Sequence, residues 1–342
     1  MAEAAAVVLA SDPDVAGVGS AVLGRGNAVD AVIASIFGAA GLYPSVLLGP
    51  VQVLIGGAGA GLRAIDGRVR QPGLGNPRPR GFLASDAIPD AARVGVPALP
   101  AALLAAVTTY GKVSVAAVLG PGIELARAKS KARAAVLQRI AERGPAALAE
   151  ASLADELTAL AGRLAGGLLS AQDLDELRPV LTRASVHEGA DGREVVTVPW
   201  GASAIRLTQA PSLFGTDVRV VVAADRNGLL AVGCYEVPKA GLPLDVFDLV
   251  APFHAAPVLR GEPRVKPGEP RGAAAPIALG QLAGTIDLAT GIGASAESEA
   301  QLGAWLDGYR AVAGLQRDEP LPTGLLGVQR AGATWTTLGT TG

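Results

Sequence analysis

One stretch limits the possible folds more than any other. Residues Gly215 to Gly228 read Gly-Thr-Asp-Val-Arg-Val-Val-Val-Ala-Ala-Asp-Arg-Asn-Gly. The run from Val218 to Ala224 predicts a buried strand, because β-branched side chains fit a pleated surface. Asp225-Arg226-Asn227-Gly228 predicts a tight turn, and Leu229 to Tyr235 predicts the returning strand. An Asn-Gly pair supplies the left-handed backbone that hairpin turns need. Taken alone, such a segment is a core hairpin and nothing more.

The rest of the chain must cover that hairpin. With 342 residues it is long enough for a sizeable core. Half the residues are hydrophobic but only 4% are aromatic, so Ala, Val, Leu and Gly must build the interior with close backbone approach. The net charge of −2 gives no electrostatic case for nucleic acid or an anionic membrane. One cysteine, Cys234, forms no intramolecular disulfide, and two histidines without a Cys/His cluster argue against structural zinc. No cofactor is expected. The N-terminus has no basic segment before its short apolar run, and no apolar stretch reaches a membrane-spanning length. A cytoplasmic protein is the expectation.

In chain order, Ala5 to Ala10 predicts a strand. Ser11-Asp12-Pro13 starts a helix over Val15 to Gly24, and Asn27 caps a second, buried helix. Gly49 to Ile55 predicts a strand. Gly56-Gly57-Ala58-Gly59-Ala60-Gly61 has the look of a phosphate loop. It is followed by strand-like Leu62 to Ile65 and an Asp66-Gly67 turn rather than by a helix, so a hairpin end fits better. Pro72 to Pro100 reads as loop. Helices follow over Ala101 to Tyr110, over Val113 to Ala128 with a split at Gly120-Pro121-Gly122, and over Ser130 to Ala161 with a break at Gly144-Pro145. Ser170 and Asp173 form a capping box. Strands are expected at Val195 to Val198, at Ala204 to Gln209, and as a pair at Ile277 to Leu279 and Ile286 to Leu288. An amphipathic helix covers Ser295 to Ala313, and Gly324 to Gly342 reads as one strand and a tail. A layered α+β domain accommodates this order.

Six segments, in order, resemble the γ-glutamyltranspeptidase family. Gly24-Arg25-Gly26-Asn27-Ala28-Val29-Asp30-Ala31 is similar to its GGNAVDA, and Ala64-Ile65-Asp66-Gly67-Arg68 with Pro72 to its LDGRETAP. Gly95-Val96-Pro97-Ala98 and the helix ending Tyr110-Gly111 follow. Then come Gly120 to Ala126, similar to PAIxLA, and Glu142-Arg143-Gly144-Pro145, similar to ENGP. Gly166-Gly167-Leu168-Leu169-Ser170 with Asp173-Leu174 is similar to GGLITxEDL. The resemblance implies an N-terminal-nucleophile hydrolase fold, a four-layer αββα sandwich, here truncated in its helical segment. It implies one domain over 1–342, with 5–200 matching the family's large-subunit part and 215–342 its small-subunit part.

Family enzymes cleave their own backbone before a threonine in a T-T-H-x-S-x-x-D-x-x-G pattern, and that threonine becomes the nucleophile. Matching Asp225 and Gly228 to the end of the pattern puts Val218 at the nucleophile, Arg219 at the second threonine and Val220 at the histidine. Thr216, two residues upstream, reaches the position only through a two-residue shift that keeps side-chain parity. Arg68 matches the arginine that grips the substrate carboxylate; it reads equally as a strand residue after an Asp-Gly turn. Leu244-Asp245-Val246-Phe247 is similar to MDDF, with Asp245 retained and Val246 at the second acid. Gly272 to Pro276 stands where the family has SSMSP, and Thr290 to Gly293 is the nearest match to its glycine-rich oxyanion segment. Glu236 and Pro238 replace polar residues that frame the nucleophile.

Three readings follow. The first is a protein that has lost the nucleophile and self-cleavage and acts in binding or scaffolding, with a γ-glutamyl or amino-acid ligand and an enzyme partner or a homo-oligomer. The second is a γ-glutamyl hydrolase or transferase that uses Thr216. The third is a non-hydrolytic enzyme drawing on Cys234, Glu236 and Asp245, each of which reads more simply as an ordinary strand or loop residue.

Overall fold

A computed structural model describes residues 3–57, 59–189, 192–200, 216–293, 298–308 and 321–339. The chain opens with β1 (Glu3–Ala4), β2 (Val7–Ala10), α1 (Pro13–Leu23) and α2 (Ala28–Leu42). The hairpin β3 (Val51–Gly57) and β4 (Arg63–Gly67) follows. Next come α3 (Leu99–Tyr110), α4 (Val115–Lys129), α5 (Lys131–Arg143), α6 (Ala151–Ala161) and the short α7 (Ala171–Asp175). The second half is mostly strand: β5 (Val180–Arg183), β6 (Ser185–Glu188), β7 (Arg193–Thr197), β8 (Thr216–Ala224) and β9 (Leu229–Pro238). It continues with β10 (Gly241–Leu244), β11 (Leu249–Pro252), β12 (Ile277–Leu282), β13 (Thr285–Ile292), α8 (Ser298–Gly308), β14 (Leu325–Ala331) and β15 (Thr334–Leu338).

Two sheets form. One has the order β2-β8-β9-β3-β4-β5, the other β1-β15-β14-β13-β12-β7-β6. The hairpin lies inside the first, so β8 and β9 have neighbours on both sides, and both faces are covered. Val218, Val220, Val222 and Ala224 pack with Leu230, Val232 and Cys234 against the second sheet. The alternate residues Val221, Ala223 and Ala231 pack against the α1–α2 helical layer. On the outer face of the second sheet, Leu302 and Leu306 of α8 meet Ala278, Leu288 and Ile292. Three apolar interfaces therefore separate four layers in the order α, β, β, α, with α8 as the described part of the last.

The small-residue composition acts where the helices cross. A Cβ at Gly41 would meet the Gly122 carbonyl oxygen at 2.8 Å, and one at Gly122 would meet the Gly38 nitrogen at 3.0 Å. Gly120-Pro121-Gly122 is thus part of a continuous α4 with Pro121 inside it, not a break. The close backbone approach of α2 outweighs the local cost of proline. The other departures are strands. Asp66 and Gly67 belong to β4 rather than to a turn, and the C-terminal segment forms the hairpin β14–β15 rather than one strand. The short strands β5, β6, β10 and β11 carry no alternation long enough to read. The expected strand Ala204 to Gln209 lies outside the described residues.

Two of the matching segments explain each other. Asn27 Oδ1 accepts from the Asp30 amide at 3.0 Å, and Asp30 Oδ2 accepts from the Asn27 amide at 2.9 Å, a reciprocal capping box on α2. Asp30 Oδ2 also accepts from the Lys112 amide at 2.9 Å, and Asn27 Nδ2 donates to the Tyr110 carbonyl at 2.8 Å. The GGNAVDA-like segment and the Tyr-Gly helix end form one joint.

Candidate functional site

The register of the first sheet brings the site together. Val220 pairs with Cys234, Cys234 with Gln52, and Gln52 with Asp66, which makes one row across β8, β9, β3 and β4. In the neighbouring rung of the hairpin Val218 pairs with Glu236. Residues Ala273 to Ala275 lie along these rows. Gln52 Nε2 donates to the carbonyls of Ala274 at 2.8 Å and Ala273 at 3.3 Å. The Cys234 thiol lies 3.6 Å from the Ala274 carbonyl oxygen. The Ala275 amide donates to Glu299 Oε1 at the start of α8, and Trp200 Nε1 donates to Gln52 Oε1. The segment standing where the resemblance puts paired serines thus makes its hydrogen bonds at this sheet end through its backbone, while Ala274 and Ala275 pack on the inter-sheet core.

Beyond β4 the chain carries a second charged group. Arg68 clamps Asp66 through Nε at 2.9 Å and Nη2 at 3.0 Å, and Arg70 Nη1 reaches the same carboxylate at 3.0 Å. All three residues are buried. Burial pushes the Asp66 carboxyl up, but the hydrogen bond from Arg68 and the charges of Arg70 and Arg68 outweigh it and hold the group below its ordinary value. Two guanidiniums share one carboxylate, so the cluster keeps one positive charge in excess. Its cavity, about 520 Å³, is lined by Arg68, Arg70, Arg178 and Trp200 and also by the carboxylates of Asp173 and Glu176, so the excess is local to the Arg68–Arg70 end. The Trp200 ring lies 4.8 Å from the Arg68 guanidinium carbon, a stacking that orients the fork. Asp173, the N3 residue of the Ser170 cap, accepts from the Gly73 and Leu74 amides and ties this wall to the loop after Arg70.

Glu236 and His254 form the third group. Both are buried, with Glu236 Oε2 at 3.4 Å from His254 Nε2. Burial pushes the Glu236 carboxyl up to about 8, partly countered by the Ala274 amide. Burial pushes the His254 imidazole down to about 4, helped by the charge of Arg271. Near neutral pH the contact therefore joins an un-ionised acid to a neutral imidazole rather than an ion pair. Burial also raises the Cys234 thiol well above its ordinary value, with the charges of Glu299 and Glu236 acting in the same direction. The thiol is 1% exposed and packed in the inter-sheet core.

The residues singled out from sequence fall as follows. Val218 is 4% exposed in the inter-sheet core. Arg219 turns to the helical face, where Nη1 donates to the Tyr43 hydroxyl at 2.9 Å and lies 3.4 Å from Asp12. Thr216 is the first residue of β8, opposite Pro238. Arg68 lines the cavity. Asp245 sits exposed on a 3-10 turn before β11, and no hydrogen bond or ion pair joins it to the Arg68 cluster among the described residues. Gln52, Arg70, Trp200, His254 and Glu299 were not expected. Asp66, Arg68 and Arg70 at alternate positions gave a readable signal, because side chains two apart in extended backbone share a face. His254 and Glu299 gave none, since only the tertiary fold brings them here.

No protein-family model matches the chain, and no curated protein matches it in sequence. Solved structures do. The protein LmbA2991 superposes with a TM-score of 0.71 at 14% identity, over 93% of this chain and 84% of that one. Cephalosporin acylase from Bacillus halodurans gives 0.64 at 16% identity, over 84% and 77%. The γ-glutamyltranspeptidase from Pseudomonas nitroreducens, in complex with L-DON, gives 0.48 at 21% identity over 60% and 79%, an overlap too partial to argue from. Among the described residues no helix is long and apolar enough to cross a membrane. The layer order and the first two superpositions agree: the chain has the N-terminal-nucleophile hydrolase fold expected from its γ-glutamyltranspeptidase-like segments.

Proposed function

We propose that this is a γ-glutamyltranspeptidase-like protein that remains one uncleaved chain and binds a small γ-glutamyl or amino-acid ligand without turning it over. The observation that carries the reading is Val218. At the position aligned with the family's nucleophile, β8 presents two methyl groups to the inter-sheet core, and a methyl group cannot attack a carbonyl. The excess charge of the Arg68–Asp66–Arg70 cluster and its cavity of about 520 Å³ supply a place for a ligand carboxylate. Asp66 takes Nε and Nη2 of Arg68, so Nη1 is the atom that the ligand would use. Calorimetric titration with L-glutamate and γ-glutamyl dipeptides tests the reading. Saturable binding weakened about tenfold or more by Arg68→Lys supports it, since lysine loses the planar fork. No binding, or binding indifferent to Arg68, contradicts it.

A second reading has one observation in its favour. Thr216 is the first residue of β8, the place from which an N-terminal nucleophile would act. Cleavage between Gly215 and Thr216 would make this chain an amide hydrolase or transferase, and Thr216→Ala would abolish both cleavage and activity. A homo-oligomer or an enzyme partner extends the first reading, and a monodisperse monomer in light scattering contradicts the oligomer.

A further inference from the structure

A second cavity lies at the other end of the β8–β9 hairpin, at its turn. It is an open groove of about 570 Å³ formed by three connections: the α1–α2 link at Gly24, Arg25 and Gly26, the α3–α4 link at Lys112, and the hairpin turn at Arg226 and Asn227. Arg25, Lys112 and Arg226 are all exposed, and none makes an ion pair among the described residues. The lining holds one carboxylate, Asp225, which is buried and committed to the turn: its Oδ1 accepts from the Asn227 amide at 2.8 Å and the Leu229 amide at 3.2 Å. Nearby Asp30 is buried too, with Oδ2 taken by the Asn27 and Lys112 amides. A Cβ at Gly24 would meet nothing within 4 Å, so the main chain there is open to a ligand.

We propose that this groove binds a phosphate-bearing small molecule, held by Arg25, Lys112 and Arg226. Three cations from three separate segments facing one volume, against one engaged carboxylate, leave an excess of two positive charges. A single carboxylate would balance half of that, whereas a phosphate ester or pyrophosphate balances all of it. Arginine forks and a lysine point charge are the usual donors to phosphate oxygens. The volume is that of a small-molecule site rather than of a flat protein-binding face. The site is separate from the Arg68 cavity and does not depend on the function proposed there.

Inorganic pyrophosphate is the probe, titrated calorimetrically into the full chain at low ionic strength. The expected result is saturable binding with one site per chain, weakened roughly tenfold or more in the triple variant Arg25→Ala, Lys112→Ala, Arg226→Ala, each lost charge-assisted contact contributing. Lys129→Ala, an exposed cation at the end of α4 outside the groove, leaves this affinity unchanged. All three groove side chains are exposed, so the triple variant keeps its unfolding midpoint, which circular dichroism checks. Absence of saturable binding, or equal binding by the triple variant, overturns the proposal. A poly-glutamate peptide binding as tightly as pyrophosphate also overturns it, in favour of an acidic protein partner.

Discussion

Val218 and Glu236 stand opposite each other in register on β8 and β9, each 4% exposed. The first offers only methyl groups to the inter-sheet core. The second is an acid that burial keeps un-ionised, with its Oε2 at 3.4 Å from His254 Nε2. Together they make this rung of the hairpin packed and, near neutral pH, uncharged.

This pair gives stability a characteristic pH dependence. Glu236 goes from an ordinary 4.5 up to about 8, so between these values the folded state holds a proton that the unfolded state has lost, and stability falls as pH rises. His254 goes from 6.5 down to about 4, so over that range the unfolded state holds the extra proton, and stability rises with pH. The two slopes oppose each other from pH 4.5 to 6.5. From 6.5 to 8 only Glu236 acts, and the loss is on the order of 2 kcal/mol at ~1.4 kcal/mol per pH unit. Urea unfolding across that range should show the decline in the native chain and not in Glu236→Gln. An equal decline in both would contradict the assignment.

Removing Asp66 should be costly. Asp66→Asn leaves Arg68 and Arg70 buried without their shared carboxylate, and breaking a buried pair from one side costs about 3–5 kcal/mol. The midpoint of urea unfolding measures it. A change under about 1 kcal/mol would mean that solvent or another acceptor already serves the guanidiniums.

The capping box of α2 is a joint rather than a catalytic motif. Asn27→Ala loses the bond to the Asp30 amide and the tie from Nδ2 to the Tyr110 carbonyl. A lost cap costs about 1–2 kcal/mol, while ligand binding at Arg68 should be unchanged. Reduced affinity with normal stability would contradict this division of roles.

Much of the fold was legible because its signals are local. The hairpin followed from a β-branched run and an Asn-Gly turn, and both capping boxes from three-residue spacings. Gly120-Pro121-Gly122 misled because its propensity speaks for a break, whereas its function is close contact with α2, which only packing reveals. At the site, Arg68 and Glu236 stood out in the sequence. His254 reaches Glu236 from a different part of the chain, and Glu299 reaches Ala275 from α8. Asp245, which kept the motif's acid, sits exposed outside the hydrogen-bonded cluster around Arg68.

Intact mass under denaturing conditions decides whether β8 carries a self-cleaving nucleophile. An uncleaved chain gives one species at 34.1 kDa, whose mass Thr216→Ala changes only by the substitution itself. Two fragments summing to that mass, with Thr216 as the new N-terminus and their appearance abolished by Thr216→Ala, would contradict it and restore the hydrolase.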